Sequence, residues 1–418
     1  MKSILISLWV FFIFPVTLLA GGIFVNSQQS AEYIRLFNRN AAVDNADIAY
    51  YNIGAAPLLE EGVHFNFSNM VYFQKATVKV RDHALLGDRD YVSDNPFPLF
   101  PNAYLVYKKG EWGLFGAYQT IGATAVRKWE EGLPSMDYLG KLRSPEGDID
   151  SYLKGDSAYY ALRLGAGKQI TGRLSLAVAG RFVAHRAKIR GSIFWGDQEN
   201  DIVIDTDDKG EGFGLELGMN LAATDRLNIG FTYEGKTPIR IETTVNKGDT
   251  SGMFEEGRRS HLDLPQILRL GVSFQGTPKL RTEINMNIYL EDHVNFSYLN
   301  NALTQVDYQR DYKNTYELGA CGEYRIDSRW LVSSGMVYNW IGQEKSSTVD
   351  VSVPGGHADY VSIGAGAQLT VIPSMKLNVG VAHTRFLRTY ESTDRLFAIP
   401  KEYNKEYFII ATGIDYRF

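Results

Sequence analysis

Histidines are the side chains best suited to acid–base work at neutral pH, and seven occur: His64, His83, His185, His261, His293, His357 and His383. They are scattered, none lies in a local Ser/His arrangement, and no Gly-x-Ser-x-Gly turn presents a nucleophile. Enzyme chemistry is therefore not expected, nor is a cofactor. Asp205-Thr206-Asp207-Asp208-Lys209-Gly210-Glu211 hints at calcium, but Lys209 stands where an oxygen donor belongs. The run reads as a solvated loop, with no metal site. The one cysteine, Cys321, excludes an intramolecular disulfide. A net charge of −5 disfavours nucleic acid as a partner, which needs a basic footprint.

The remaining chemistry is apolar. Asn95-Pro96-Phe97-Pro98-Leu99-Phe100-Pro101 is apolar and stiffened by proline. It suits a capture surface at Phe97 or an aromatic girdle at the start of a strand. Two later polar stretches hold Ile193, Phe194, Trp195, Met253 and Phe254, either as further capture residues or as packing for a lid. Arg173, Arg181, Arg281 and Arg325, with Glu283, Glu317 and Glu323, share the polar face of alternating runs. They suit an internal salt network or, at one arginine, a carboxylate receptor.

Strands must position these groups. From Phe408 to Phe418 one face carries Phe408, Ile410, Thr412, Ile414, Tyr416 and Phe418; the other carries Ile409, Ala411, Gly413, Asp415 and Arg417. A strand apolar on one side and polar on the other suits a transmembrane barrel, or the last strand of a soluble sandwich. The terminal Phe418 also resembles the signal that delivers bacterial outer-membrane barrels to their assembly machinery. At the other end, Met1-Lys2-Ser3, an apolar run from Ile4 to Leu19 and small residues at Ala20-Gly21 read as a secretory signal cut after Ala20. No later run is long and apolar enough for a membrane helix.

Period-two alternation predicts fourteen strands. They lie near 62–80, 100–109, 112–122, 157–170, 173–188, 212–223, 226–235, 264–275, 279–290, 312–325, 329–341, 358–371, 374–387 and 405–418. Six tight connections use turn-forming residues: Gly110-Glu111, Thr171-Gly172, Thr224-Asp225, Thr277-Pro278, Asp327-Ser328 and Pro373. Seven others are long and polar, near 81–99, 123–156, 189–211, 236–263, 291–311, 342–357 and 388–404. Short turns alternating with long loops are the rhythm of an outer-membrane barrel. The segment before the first strand predicts short helices at 30–37 and 44–51. It would most economically bury Tyr33, Ile34, Leu36 and Phe37 inside the lumen.

Glu32-Tyr33-Ile34-Arg35-Leu36-Phe37-Asn38-Arg39-Asn40-Ala41-Ala42, then Asp47-Ile48-Ala49-Tyr50-Tyr51-Asn52, resembles the N-terminal hatch of the FadL/TodX family. Pro101-Asn102-Ala103-Tyr104-Leu105-Val106-Tyr107 and Trp112-Gly113-Leu114-Phe115-Gly116 agree with its first strands. The resemblance implies an all-β, 14-stranded antiparallel transmembrane β-barrel in the bacterial outer membrane, plugged by a partly helical hatch. The implied division is a signal peptide over 1–20, a hatch over 21–60 and a barrel over 61–418. The implied activity is uptake of long-chain fatty acids or other hydrophobic small molecules, with outer-membrane lipid and the barrel-assembly machinery as partners. A porin, an adhesin and a lipid-modifying enzyme are the competing readings.

The resemblance also implies site residues. Phe24, Tyr50, Tyr51, Asn52 and Gly54 become candidates for ligand binding or transport. Where the family has Asn-Pro-Ala, this chain has Asn52-Ile53-Gly54, which replaces a rigid turn with a pliable one. The family's third strand bends and leaves a hole in the wall. Here that strand holds Gly113, Gly116 and Gly122, which become the candidate lateral gate, or simply make room for the hatch.

Overall fold

The computed structural model describes residues 29–195, 201–252, 254–295, 297, 313–341, 359–387, 390–393 and 399–418. The predicted signal, Phe24 and Met253 lie outside the described residues. Among the described residues seventeen strands form one antiparallel sheet. In chain order they are β1 (Gly62–His83), β2 (Gly87–Lys109), β3 (Trp112–Trp129), β4 (Asp150–Gln169), β5 (Leu174–Phe194), β6 (Ile202–Ala222), β7 (Leu227–Glu234), β8 (Arg240–Val245), β9 (Arg259–His261), β10 (Gln266–Thr277), β11 (Leu280–Leu290), β12 (Thr315–Arg325), β13 (Trp330–Trp340), β14 (Tyr360–Ile372), β15 (Met375–Phe386), β16 (Tyr390–Thr393) and β17 (Pro400–Arg417). Fourteen make the wall; β8, β9 and β16 are additions at the end with the long connections. β17 pairs with β15 on one side and, from His64↔Arg417 to Val80↔Lys401, with β1 on the other. That closure removes both sheet edges, so the wall strands satisfy one another's backbone groups without water.

The outer surface explains the alternation. On β5, Leu176, Val178 and Phe182 face out and are exposed, then Arg186, Lys188 and Arg190 follow on the same face. On β6, Leu217, Leu215 and Phe213 face out, then Glu211 and Lys209. An apolar band that ends in charge is a surface built for lipid. At the C-terminus Phe408 and Phe418 face outward while Ile409 and Ala411 are buried, the polarity expected from the alternation.

Several strands run further than expected. The stretches near 81–99 and 189–211, expected to be loops, are largely strand, and β1 joins β2 through Ala84-Leu85-Leu86 alone. Beyond the lipid an outward face is polar, so the hydropathy contrast that marks a strand disappears while the backbone ladder continues. The opposite ends match the expected turns, where a side-chain oxygen caps the bend. Thr171 Oγ1 accepts from Leu174 N (3.0 Å), Thr224 Oγ1 from Leu227 N (3.0 Å) and Asp327 Oδ1 from Trp330 N (2.8 Å).

The segment before β1 lies within the ring. α1 (Ala31–Leu36) contacts β1, β12 to β15 and β17, whereas a 3-10 helix at Ile53–Leu58 contacts β2 to β7. Between them, α2 covers Ile48–Tyr51 only, so the second predicted helix is shorter than expected. Ile34, Leu36, Ile48, Ala49 and Tyr50 are fully buried. α3 (Pro134–Arg143) sits among the long connections. No helix among the described residues is long and apolar enough to cross a membrane.

Candidate functional site

The inner segment is held by its own polar residues. Ser30 caps α1, its Oγ accepting from Tyr33 N (3.1 Å) and donating to Asp47 (2.8 Å). Arg39 donates to both Asp44 (3.0 Å, Oδ2) and Asp47 (3.1 Å), folding the chain between the helices back on itself. Phe37 closes α1 in the left-handed region at φ 52°. Asn52 donates to Ala42 O (3.0 Å) and to Asn220 on β6 (2.7 Å). The pliable Asn52-Ile53-Gly54 is thus anchored to the wall.

The wall meets this segment with glycine. Gly230 and Gly271 are cross-strand partners, and a Cβ on Gly271 would lie 2.6 Å from Ala41 N. Gly335 and Gly364 are likewise partners, where a Cβ would run into Leu36 O and Ile34 O. Gly113 pairs with Gly167, and its Cβ would lie 2.5 Å from Ala56 C. Gly54 approaches β6 in the same way, its Cβ 2.5 Å from Met219 C. A belt of paired glycines therefore lets two backbones touch where side chains would hold them apart.

Charge fills the rest of the junction. Arg163 pairs with Glu216 (2.6 Å), and Arg181 and Arg269 with Glu234, all fully buried. Tyr50 lies between two of these guanidiniums, with ring centroid distances of 4.8 Å to Arg163 and 4.1 Å to Arg269. Tyr51 stacks on Tyr33 at 5.2 Å, and its hydroxyl accepts from Gln29 N (3.0 Å). A second network joins Arg35, Arg281, Glu283 and Glu323. Glu317 instead accepts from Asn287 (2.6 Å) and Tyr289 (2.9 Å). Arg173 and Arg325 are exposed at turns, outside the internal network expected for them. Tyr50, Tyr51, Asn52 and Gly54 are thus packed into the junction between inner segment and wall.

Toward the loop end the lumen becomes aromatic. Phe97 is on β2 with its side chain half-buried, packed against the core around the inner segment rather than at an exposed tip. Its ring lies 6.1 Å from Phe100, which lies 5.2 Å from Tyr72. Above this trio sit two buried basic side chains. Arg127 donates to the Tyr407 hydroxyl (3.2 Å), and Lys405 Nζ lies 4.9 Å from the Tyr407 ring and 5.0 Å from Phe386. Higher still, Tyr91, Trp129, Met136, Ile193 and Tyr403 form an apolar cluster, with Trp195 and Phe254 packed on its edge. Phe194 faces outward from β5 and is exposed. α3 roofs this cluster. Asp137 accepts from Arg89 (2.6 Å) and Tyr91 (2.8 Å); burial raises its carboxyl above the usual range although these donors and Ser151 oppose it.

Beside the trio the wall is open. The β2–β3 ladder runs only from Asn102↔Gln119 to Lys109↔Trp112, although both strands continue toward the loop end. Pro96, Pro98 and Pro101 supply no amide hydrogens, so β2 offers few donors there. β3 gains extra residues between Ile121 and Ala125, and β2 is irregular between Phe97 and Phe100. Gly122 lies in that irregular stretch of β3, whereas the ladder is unbroken at Gly113 and Gly116. Gly116 points to the outer surface, toward Leu164. Wall residues bridge the break at its two ends. Thr120 N donates to Asn102 Oδ1 (3.0 Å) at its lower end, and Asn95 and Gln74 hold Val126 O at its upper end (2.9 and 2.6 Å). The proline-rich run is the sequence signal for this opening, and its apolar character equally suits a surface patch.

A separate cavity of about 360 Å³ lies at the turn end, between the inner segment and Pro373. Asp44, Asn45, His64, Lys376 and Arg417 line it beside Val43, Leu58, Leu59 and Phe65, a mixed lining away from the aromatic trio. No group of three or more metal-binding side chains occurs among the described residues.

The family model described as outer membrane protein transport protein (OMPP1/FadL/TodX) matches residues 16–418. A FadL homologue from Pseudomonas aeruginosa shares the fold with a TM-score of 0.71 at 13% identity, over 95% of this chain and 100% of that one. The toluene transporter TodX of Pseudomonas putida aligns with a TM-score of 0.64 at 11% identity, over 96% and 100%. The toluene transporter TbuX of Ralstonia pickettii gives 0.58 at 13%, over 92% and 99%. Among curated protein sequences there is no match.

Proposed function

From the premise that the chain belongs to the outer-membrane transport protein family OMPP1/FadL/TodX, we propose that it takes up hydrophobic small molecules, long-chain fatty acids among them, and releases them sideways into the membrane. The observation that carries this reading is the break between β2 and β3, which faces lipid on one side and the Phe97–Phe100–Tyr72 trio on the other. An apolar solute gathered at the Tyr91–Trp129 cluster passes to the trio and leaves through the break without crossing water. Each methylene kept out of water is worth about 0.8 kcal/mol, so a long alkyl chain gains far more here than in an aqueous pore. Residues 29–59 act as the plug that denies water the same route. A plug tied to the wall by buried charge and backbone contact is the opposite of an open porin.

Arg127 and Lys405 favour an amphiphile over a neutral hydrocarbon. They face the lumen immediately above the trio, placed to hold a carboxylate while the tail lies against the rings. The experiment is uptake of radiolabelled oleate and toluene by cells lacking their own transporter. The wild-type chain takes up both, and Arg127→Leu with Lys405→Leu lowers oleate uptake while sparing toluene. Equal loss of both solutes contradicts the carboxylate role; no uptake of either by the wild type contradicts the transport reading.

A further inference from the structure

The opening has a frame, and the frame is made of amides. In lipid an unpaired backbone group has no water to pair with, so a gap in a barrel wall must be finished by side chains. Asn69 on β1 does so at one side: its Oδ1 accepts from Phe100 N (3.0 Å) and its Nδ2 donates to Pro98 O (3.1 Å). Asn102 closes the lower end through Thr120 N, and Thr120 Oγ1 returns a bond to Pro101 O (3.0 Å). Asn95 closes the upper end. Its Nδ2 donates to Val126 O (2.9 Å) and its Oδ1 accepts from Lys128 N (3.2 Å). One side chain thus bonds a carbonyl and an amide two residues apart, the pattern a neighbouring strand would offer. Gln74, which pairs with Asn95 across β1 and β2, adds a second donor to Val126 O (2.6 Å).

We propose that Asn95, seconded by Gln74, is a specificity-determining clasp that pins β3 to β2 above the opening and so limits the width of solute that leaves through it. The inference rests on the lateral-release reading. From Thr120 to Val126 the opening spans roughly 20 Å along β3, at about 3.3 Å per residue, so its length admits an extended chain. Its width is set by how far β3 swings from β2, and β3 holds extra residues that allow the swing. Among the described residues the two clasps are what resist it. The upper clasp lacks the continuous ladder that backs the lower one at Asn102.

The test uses the full-length protein in reconstituted vesicles and two fatty acids, one with a linear tail and one ending in a pyrene. Asn95→Leu keeps the branching at Cγ and removes both bonds to β3, along with the one Asn95 Oδ1 accepts from Ser93 Oγ (3.1 Å); it raises the pyrene-to-linear uptake ratio roughly fivefold, the factor that about one net hydrogen bond supplies. Gln74→Leu, which loses a single bond, raises it less and stands in if the first variant assembles poorly. An unchanged ratio in folded protein overturns the clasp. Bridging cysteines placed at Leu99 and Ala123 with a flexible reagent separates the two failures. If the bridge stops uptake while the ratio is unmoved by Asn95→Leu, lateral release stands and the clasp falls. If the bridge leaves uptake intact, both fall.

Discussion

The β4–β5 and β2–β3 pairs both flank the inner segment, yet one is sealed and the other open. β4 and β5 pair without a break from Asp150↔Phe194 to Gln169↔Ser175. Their inward face supplies Arg163 and Arg181 to the buried network and Gly167 to the contact with Pro57. β2 and β3 pair only from Asn102 downward, and above that point amide side chains replace the ladder. Two residue types mark the sealed and the open seam. Glycine occurs where the wall lies tightest against the inner segment, because a missing Cβ permits contact. Proline marks the place where the ladder cannot continue, because a missing amide hydrogen leaves nothing to pair.

The largest effect is expected on the sealed side. Glu234→Ala leaves Arg181 and Arg269 buried with Glu216 as the remaining acid, and breaking a buried pair in this way costs about 3–5 kcal/mol. A urea-induced unfolding series in detergent should show the fall in midpoint, and an unmoved midpoint would mean that water reaches the network. Next comes Gly335→Val, whose Cβ collides with Leu36 O; overpacking of this kind costs about 1–3 kcal/mol. Protease cutting within residues 29–59 should rise while the barrel still migrates as a folded species on unheated gels. A smaller change is expected on the open side. Replacing Pro96, Pro98 and Pro101 together with Val restores three amide donors, narrows the break and cuts oleate uptake several-fold without lowering the unfolding midpoint. Unchanged uptake would show that proline does not hold the strands apart. The smallest belongs to Gly116→Ala, which points outward at a flexible Leu164 side chain and should alter stability by less than about 0.5 kcal/mol.

Much of the frame is legible in the sequence because lipid imposes a sharp contrast. Phe408 to Phe418 shows the closing strand, and the Thr171, Thr224 and Asp327 turns are marked by residues whose side chains cap their own bends. The strands lose legibility above the lipid, where β6 carries Asp205 and Asp207 on a face that water solvates. The site is harder to read. Tyr50 and Tyr51 look like ligand contacts in sequence, but their rings are committed to Arg269 and Tyr33. Asn95 and Asn102 give no local signal, since their value depends on a strand that fails to pair. Arg127 lies far in the chain from Lys405 and Tyr407, neighbours on one face of β17, and only barrel closure brings it to them.

Lateral release between β2 and β3 is put to the test by two bridges compared side by side. In a Cys321→Ala background, one protein carries cysteines at Leu99 and Ala123 across the break, and another at Ala166 and Val178, cross-strand partners on β4 and β5. Both are linked by the same bifunctional reagent, the link is verified by mass, and oleate transfer into vesicle lipid is timed. The first bridge is expected to stop transfer and the second to leave it intact, with both barrels folded. Equal transfer through both bridged proteins would rule out lateral release at this seam.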